Sequence, residues 1–258
     1  MKKYCLDFRV EKSEAIHALY SLLTLTPSNP KINLPEIIPG QFVQVRIDNA
    51  GTFLRRPISV NDVDRDRQTL SLLVRNAGEG SRWLMKRQEG DTVNLLLPLG
   101  NGFADIDGSD RRPLLVGGGV GIAPMLYLGK CMSLQHAIRP TFLVGARSAA
   151  DVLQLKSLQQ WGDVFVTTED GTMGEKGLVT ASTAWNEKWT SVYCCGPAPM
   201  MKAIAQMCHR AGLPCKVSLE NMMACGLGAC LCCVEKTVRG NVCVCTEGPV
   251  FDTTELTW

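Results

Sequence analysis

Between Tyr4 and Leu99 apolar and polar residues recur in short runs, cut by Gly, Pro, Asn and Asp before any helical periodicity develops. That pattern predicts the short strands of a small antiparallel barrel. The strands fall at Tyr4 to Val10, Ala18 to Thr24, Phe42 to Ile47, Ile58 to Asp62, Thr69 to Arg75 and Thr92 to Leu97. A loop rich in Pro and Asn, Pro27 to Gly40, separates the second from the third. After Arg111-Arg112-Pro113 the pattern changes to apolar strands alternating with helices, the mark of a doubly wound parallel sheet. It opens with a strand at Leu114 to Val116, a glycine turn from Gly117 to Pro124 and a helix from Met125 to Leu134. The chain is therefore expected to be an α+β multidomain protein. An antiparallel β-barrel spans residues 1–108, an α/β doubly wound domain 109–214 and a small cysteine-rich domain 215–258.

A length of 258 residues with 45% hydrophobic content is ample for packed cores, and Lys+Arg 27 against Asp+Glu 25 offers no electrostatic case for nucleic acid or membrane binding. The longest uncharged run, Pro113 to Gly129, holds five glycines and two prolines and reads as strand, loop and helix rather than a membrane span. The N-terminal stretch has Lys2 and Lys3 but Asp7 and Arg9 interrupt any apolar signal core, so a cytoplasmic location is expected.

Composition changes the picture most through its 12 cysteines. Cys225, Cys230 and Cys233 have C-x4-C-x2-C spacing with a distant Cys245, the plant-type ferredoxin arrangement for a [2Fe-2S] cluster. Three thiolates from one short loop converge only if the backbone turns sharply, and Gly226 and Gly228 permit that. Cys233 is preferred over Cys232 because it keeps the spacing, and Cys245 over Cys243 because it abuts Gly248-Pro249. Structural zinc is the competing use, although zinc sites commonly show two C-x2-C pairs and here there is one. Cys5, Cys131, Cys208 and Cys215 are expected to be small buried hydrophobes.

Two barrel stretches suggest phosphate chemistry. In Leu54-Arg-Arg-Pro-Ile-Ser-Val60 a guanidinium held by Pro57 could pair bidentately with a pyrophosphate, against the plainer reading of a solvated arginine. In Val74-Arg-Asn-Ala-Gly-Glu-Gly-Ser81 a strand ends in a glycine turn whose amides favour an anion, or in which Ser81 simply caps a helix. Gly119 and Gly121 fit the dinucleotide fingerprint G-x-G-x-x-G, but Pro124 holds its third position. Arg147 is placed to meet a 2′-phosphate and no acidic ribose ligand is evident at that strand end, so NAD and NADP both stay open.

Pro39-Gly-Gln-Phe42, Arg56-Pro-Ile-Ser59, Gly78-Glu-Gly-Ser81 and Pro98-Leu-Gly-Asn-Gly-Phe103, in this order, resemble the FAD domain of the ferredoxin-NADP reductase family. The resemblance implies that Arg56, Pro57, Ile58 and Ser59 hold the FAD pyrophosphate and approach the flavin ring, with Leu73, Val74, Arg75, Gly80 and Ser81 completing the site. Gly-x-Gly-Ile-Ala-Pro at 119–124 and Cys195-Gly-Pro-Ala-Pro-Met200 are similar to that family's nicotinamide site, which implicates Gly119, Gly121, Cys195 and Gly196. A redox role for Cys195 and a plain buried strand end are equally open, whereas Cys194 is expected to be simply buried.

Ser218-Leu-Glu220, Met223-Ala-Cys-Gly226 and Cys245-Thr-Glu-Gly-Pro-Val-Phe251 resemble the electron transfer subunits of type B dihydroorotate dehydrogenases. That resemblance implies a subunit passing electrons from the FMN of a separate dihydroorotate-oxidising subunit, through a [2Fe-2S] cluster and FAD, to NAD+ in pyrimidine biosynthesis. It also implies a heterotetramer of two catalytic and two electron transfer subunits. No side chain is expected to act as a general acid or base. The cluster loop and Arg239 are expected near the partner. The alternatives are the subunit of a sulfide- or ferredoxin-linked NADP reductase, and a zinc-holding module without flavin.

Overall fold

The computed structural model describes residues 2–48, 51–104, 106 and 110–258, so the expected boundary at 108/109 lies outside the described residues. Six antiparallel strands close a barrel in the order β1-β2-β5-β4-β3-β6. They are β1 (Tyr4–His17), β2 (Tyr20–Pro27), β3 (Phe42–Val45), β4 (Arg56–Asp64), β5 (Thr69–Arg75) and β6 (Thr92–Leu99), with a short helix α1 (Glu79–Met85) between the last two. Inward residues such as Phe8, Leu23, Val43, Val60, Leu72 and Leu95 fill it.

β1 runs seven residues beyond the expected Val10, because its charged second half pairs with β2 across a register shift between Val10 and Lys12. Alternation breaks at such an irregularity, which hides the continuation in the sequence. Ala18 and Leu19 form the hairpin turn rather than the start of β2.

The second layer is a seven-stranded sheet of order β10-β9-β8-β7-β11-β12-β15. It contains β7 (Pro113–Gly118), α2 (Ile122–His136), β8 (Thr141–Ala146), α3 (Leu155–Trp161), β9 (Asp163–Thr168), β10 (Glu175–Lys176), β11 (Ser191–Cys195), α4 (Ala198–Ala211) and β12 (Cys215–Ser218). α2 begins three residues before the expected Met125; Pro124 then sits in the first turn, where its missing N–H leaves no bond unmade.

The cysteine segment follows as a hairpin of β13 (Val234–Thr237) and β14 (Gly240–Cys243), a one-turn helix α5 (Val244–Glu247) and β15 (Val250–Asp252). β15 pairs antiparallel with β12, so the sheet continues past residue 214 and the segment is bolted to it at both ends. Cys233, Val244 and Cys245 share one core with Phe42 and Leu99 of the barrel and Val116 and Cys194 of the sheet.

α2 ties the barrel to the sheet. Tyr127 Oη donates to the carbonyl of Ile37 at 2.8 Å, and Lys130 Nζ meets Asp62 Oδ1 at 2.8 Å.

Candidate functional site

Register on the barrel places the first group of residues. β3 and β4 pair Phe42 with Ser59 and Val45 with Arg56, which sets residues 56–59 along the rim of a cavity of about 390 Å³. Arg56, Pro57, Ile58, Ser59, Leu73, Arg75 and Ser81, all named by the resemblance for the flavin, line this one cavity. Gly80 lies beneath Arg56: a Cβ there would stand 2.7 Å from Arg56 Nε, so glycine lets the guanidinium lie against α1. Val74 differs, because its side chain points into the barrel core and does not line the cavity. Ser81 is not the helix cap, a position held by Gly78; its hydroxyl accepts from Ala77 N–H at 2.8 Å and donates to Gly78 O at 3.0 Å, closing the turn. Arg55, the neighbour of Arg56, is spent on the barrel wall, donating to Gln44 O, Asn94 O and Asn94 Oδ1.

A second cavity, of about 440 Å³, opens at the C-terminal ends of β7 and β8. Gly119 lines it at φ +54°, with open space before its Cα apart from Tyr20 Oη at 3.8 Å. Gly121 serves packing instead, since a Cβ there would strike the carbonyl of Cys195, and glycine lets α2 approach β11. Gly196, at φ +152°, lies against Gly118 and Met200. The acidic group that the strand end lacked arrives from further along: Asp151 Oδ2 lies 3.6 Å from Arg147 Nε and accepts from Ser148 Oγ at 3.2 Å, and both Asp151 and Arg147 line the cavity. Asp151 and Tyr20 escape sequence reasoning because each reaches the cavity from outside the motifs.

The two cavities meet. Arg75, Val120 and Glu220 line both, making one continuous cleft from the barrel rim to the sheet. The Glu220 carboxyl sits at the junction with its pKa raised by burial, an effect that Arg75 opposes. Cys195 Sγ donates to Glu220 Oε1 at 4.0 Å, and burial, then the Glu220 charge, push this thiol well above its ordinary pKa. It is therefore protonated at neutral pH, which removes nucleophilic thiolate chemistry there. Cys194 is fully buried, as expected.

The four predicted cysteines come from the loop after β12 and from α5, with Cys233 and Cys245 buried, Cys225 half-buried and Cys230 exposed. Backbone donors already point at three of their sulfurs: Leu227 N–H to Cys225 Sγ at 3.3 Å, Gly228 N–H to Cys245 Sγ at 3.2 Å, and Cys245 N–H to Cys233 Sγ at 3.4 Å. Burial opposes ionisation of Cys225, but the amide donors outweigh it and hold the thiol down to about 6. Burial, then the neighbouring Cys233, raises Cys245 to about 12. Cys232 is exposed, whereas Cys243 is half-buried beside Gly228 O. Cysteine sulfurs furnished with N–H donors would suit an iron-sulfur cluster, whose sulfurs take such hydrogen bonds. Cys5 departs from expectation: it is exposed and donates to Asn94 Oδ1 at 3.3 Å.

A barrel rim built for a flavin, a sheet end built for a nicotinamide nucleotide and a thiolate loop beside them define an iron-sulfur flavoprotein oxidoreductase. Comparison with known proteins is specific. The iron-sulfur cluster binding domain of dihydroorotate dehydrogenase B matches residues 220–257, and the oxidoreductase NAD-binding domain matches 115–206. The dihydroorotate dehydrogenase B (NAD+) electron transfer subunit of Caldanaerobacter subterraneus subsp. tengcongensis is 42% identical over 224 residues, 83% of this chain and 84% of that one. Its counterpart in Listeria monocytogenes serotype 4a is 38% identical over 230 residues, 86% and 88% of the two chains. Among solved structures, one of an NADH-dependent reduced ferredoxin-NADP oxidoreductase, studied for flavin-based electron bifurcation, covers 97% of this chain and 90% of its own with a TM-score of 0.85 and 28% identity. The chain belongs to the family of dihydroorotate dehydrogenase B (NAD+) electron transfer subunits.

Proposed function

We propose that the chain carries electrons between a separate dihydroorotate-oxidising subunit, which bears FMN, and NAD+, with its own residues holding one [2Fe-2S] cluster and one FAD. The observation that carries this reading is the continuous cleft in which Arg75, Val120 and Glu220 belong to both cavities while the cysteine segment, through Leu219, Asn221 and Met223, walls the flavin side. When bound, a nicotinamide moves two electrons as hydride, an iron-sulfur cluster moves one, and a flavin manages either, so the flavin belongs between the other two.

The protein supplies position and charge. Arg56, seated on Gly80, would pair with the pyrophosphate, Ser59 would offer its hydroxyl to the flavin ring, and Leu73 and Arg75 would bound it. Gly119 would admit the dinucleotide backbone. Asp151, holding Arg147 and facing the same space, favours NAD over NADP, because a 2′-phosphate would meet a carboxylate. Cys225, Cys230, Cys233 and Cys245 would be the cluster ligands.

The partner would dock over the cluster loop, where Met222, Leu227, Leu231 and Val234 are exposed apolar side chains beside exposed Cys230. A complex of two catalytic and two electron transfer subunits in the cytoplasm completes the proposal; no helix among the described residues is long and apolar enough to cross a membrane. Mixing the chain with a dihydroorotate-oxidising FMN subunit tests it. Dihydroorotate-dependent NADH formation that needs both proteins is expected, and a mixture that oxidises dihydroorotate with a dye but never with NAD+ would overturn it.

A further inference from the structure

Strand alternation on β3 sends Val43 and Val45 into the barrel and Phe42 and Gln44 to its outer face. Phe42 joins the core that holds Cys233 and Cys245. Gln44, two residues on, is 0% exposed, and neither its Nε2 nor its Oε1 has a hydrogen-bond partner among the described residues. A buried polar group left unpaired is destabilising, a penalty that an apolar side chain of similar size would avoid. The neighbour it faces is known: a Cβ built on Gly226 would lie 2.9 Å from Gln44 Cγ and 3.1 Å from Nε2. Gly226, at φ +69°, follows Cys225 directly and turns the loop that carries the first predicted ligand.

We infer that Gln44 tunes the iron-sulfur group, its side-chain amide donating a hydrogen bond to a cluster sulfur and raising the cluster's reduction potential. This rests on the reading that Cys225, Cys230, Cys233 and Cys245 hold a [2Fe-2S] cluster. Cluster sulfurs accept hydrogen bonds and do not donate them, so the amide nitrogen, the end that touches Gly226, is the end that serves. The reduced cluster carries one more negative charge than the oxidised one, and a donor stabilises it preferentially. The other donors to these sulfurs, the N–H groups of Leu227, Gly228 and Cys245, belong to the cysteine segment itself. Gln44 comes instead from the barrel, where it pairs with Pro57 in the stretch that rims the flavin cavity. A single strand thus touches both redox sites.

Gln44→Met keeps the length of the side chain and removes the donor. The full chain, wild type and variant, would be reconstituted anaerobically, assayed for iron and acid-labile sulfide, and titrated potentiometrically by electron paramagnetic resonance. With equal iron and sulfide, the variant's cluster is expected to be harder to reduce by about tenfold in its one-electron equilibrium, about 59 mV, with the flavin midpoint unmoved. An unchanged cluster midpoint at full loading overturns the inference while leaving the ligand reading intact. A wild-type chain that takes up no iron and sulfide overturns the ligand reading itself, and the inference with it. Should the variant not fold, wild-type protein labelled with 15N at glutamine side chains decides by pulsed resonance: a 15N coupling to the reduced cluster supports the inference and its absence refutes it.

Discussion

Adjacent cysteines make the sharpest test at the scale of single residues. Cys232 and Cys233 differ by one position, yet the first is exposed and the second is buried against Cys245 N–H. Cys233→Ser is therefore expected to lose most bound iron and acid-labile sulfide and Cys232→Ser to retain wild-type content; the reverse pattern would move the ligand by one residue. The spacing rule favours Cys233 in the sequence, because a cluster demands thiolates at set intervals, and its burial beside Cys245 agrees with that preference. Arg56 and Ser59 were legible for a similar reason, since register alone places them on one rim. Asp151 and Tyr20 were not: each lines the cleft through tertiary packing, and no local spacing announces it. Gly121 was legible as a glycine but not for its reason, which is the approach of the Cys195 carbonyl.

Among the elements, α2 has the most at stake, for it packs on the sheet and also reaches back to the barrel. The Tyr127 hydroxyl is its buried anchor, bonded to the Ile37 carbonyl, and burial raises its pKa far enough that it stays a donor at any physiological pH. Tyr127→Phe would leave that carbonyl unpaired at a cost of about 1–2 kcal/mol. Urea denaturation should show the loss as a lower midpoint with an unchanged slope, whereas an unaltered midpoint would mean that water replaces the bond. The sequence forecast the doubly wound pattern of this region because apolar strand runs there alternate with helical stretches across glycine and proline turns. It was weaker wherever pairing overrode pattern: in β1, whose charged half is a strand only because β2 lies beside it, and in β12 and β15, four and three residues long, which join the sheet across the cysteine segment.

For the whole molecule, the arrangement that matters is a cleft closed on one side by the cysteine segment and a cluster loop open on the other. Leu231 is 64% exposed and Met222 83% exposed. Aspartate at both positions should weaken association with the catalytic subunit by about tenfold or more, since a buried unpaired charge at an interface is costly. Sedimentation or co-purification would record it, and reduction of the isolated chain by NADH should not change. Association that survives both substitutions would place the partner elsewhere. Arg239 is a poorer probe of that face than the sequence suggested, because its guanidinium is engaged with Glu255 at 2.6 Å.

One continuous cleft runs from the sheet end past the barrel rim to the cysteine segment, and it is expected to couple the nicotinamide to the cluster within this single chain. An anaerobic titration of the reconstituted, iron-replete protein with NADH, followed by visible absorbance, tests it directly. Loss of both the flavin band and the redder cluster absorbance, with no other protein present, is the predicted result. Bleaching of the flavin alone, in protein whose cluster dithionite still reduces, would mean that electrons stop at the flavin and would contradict the coupling.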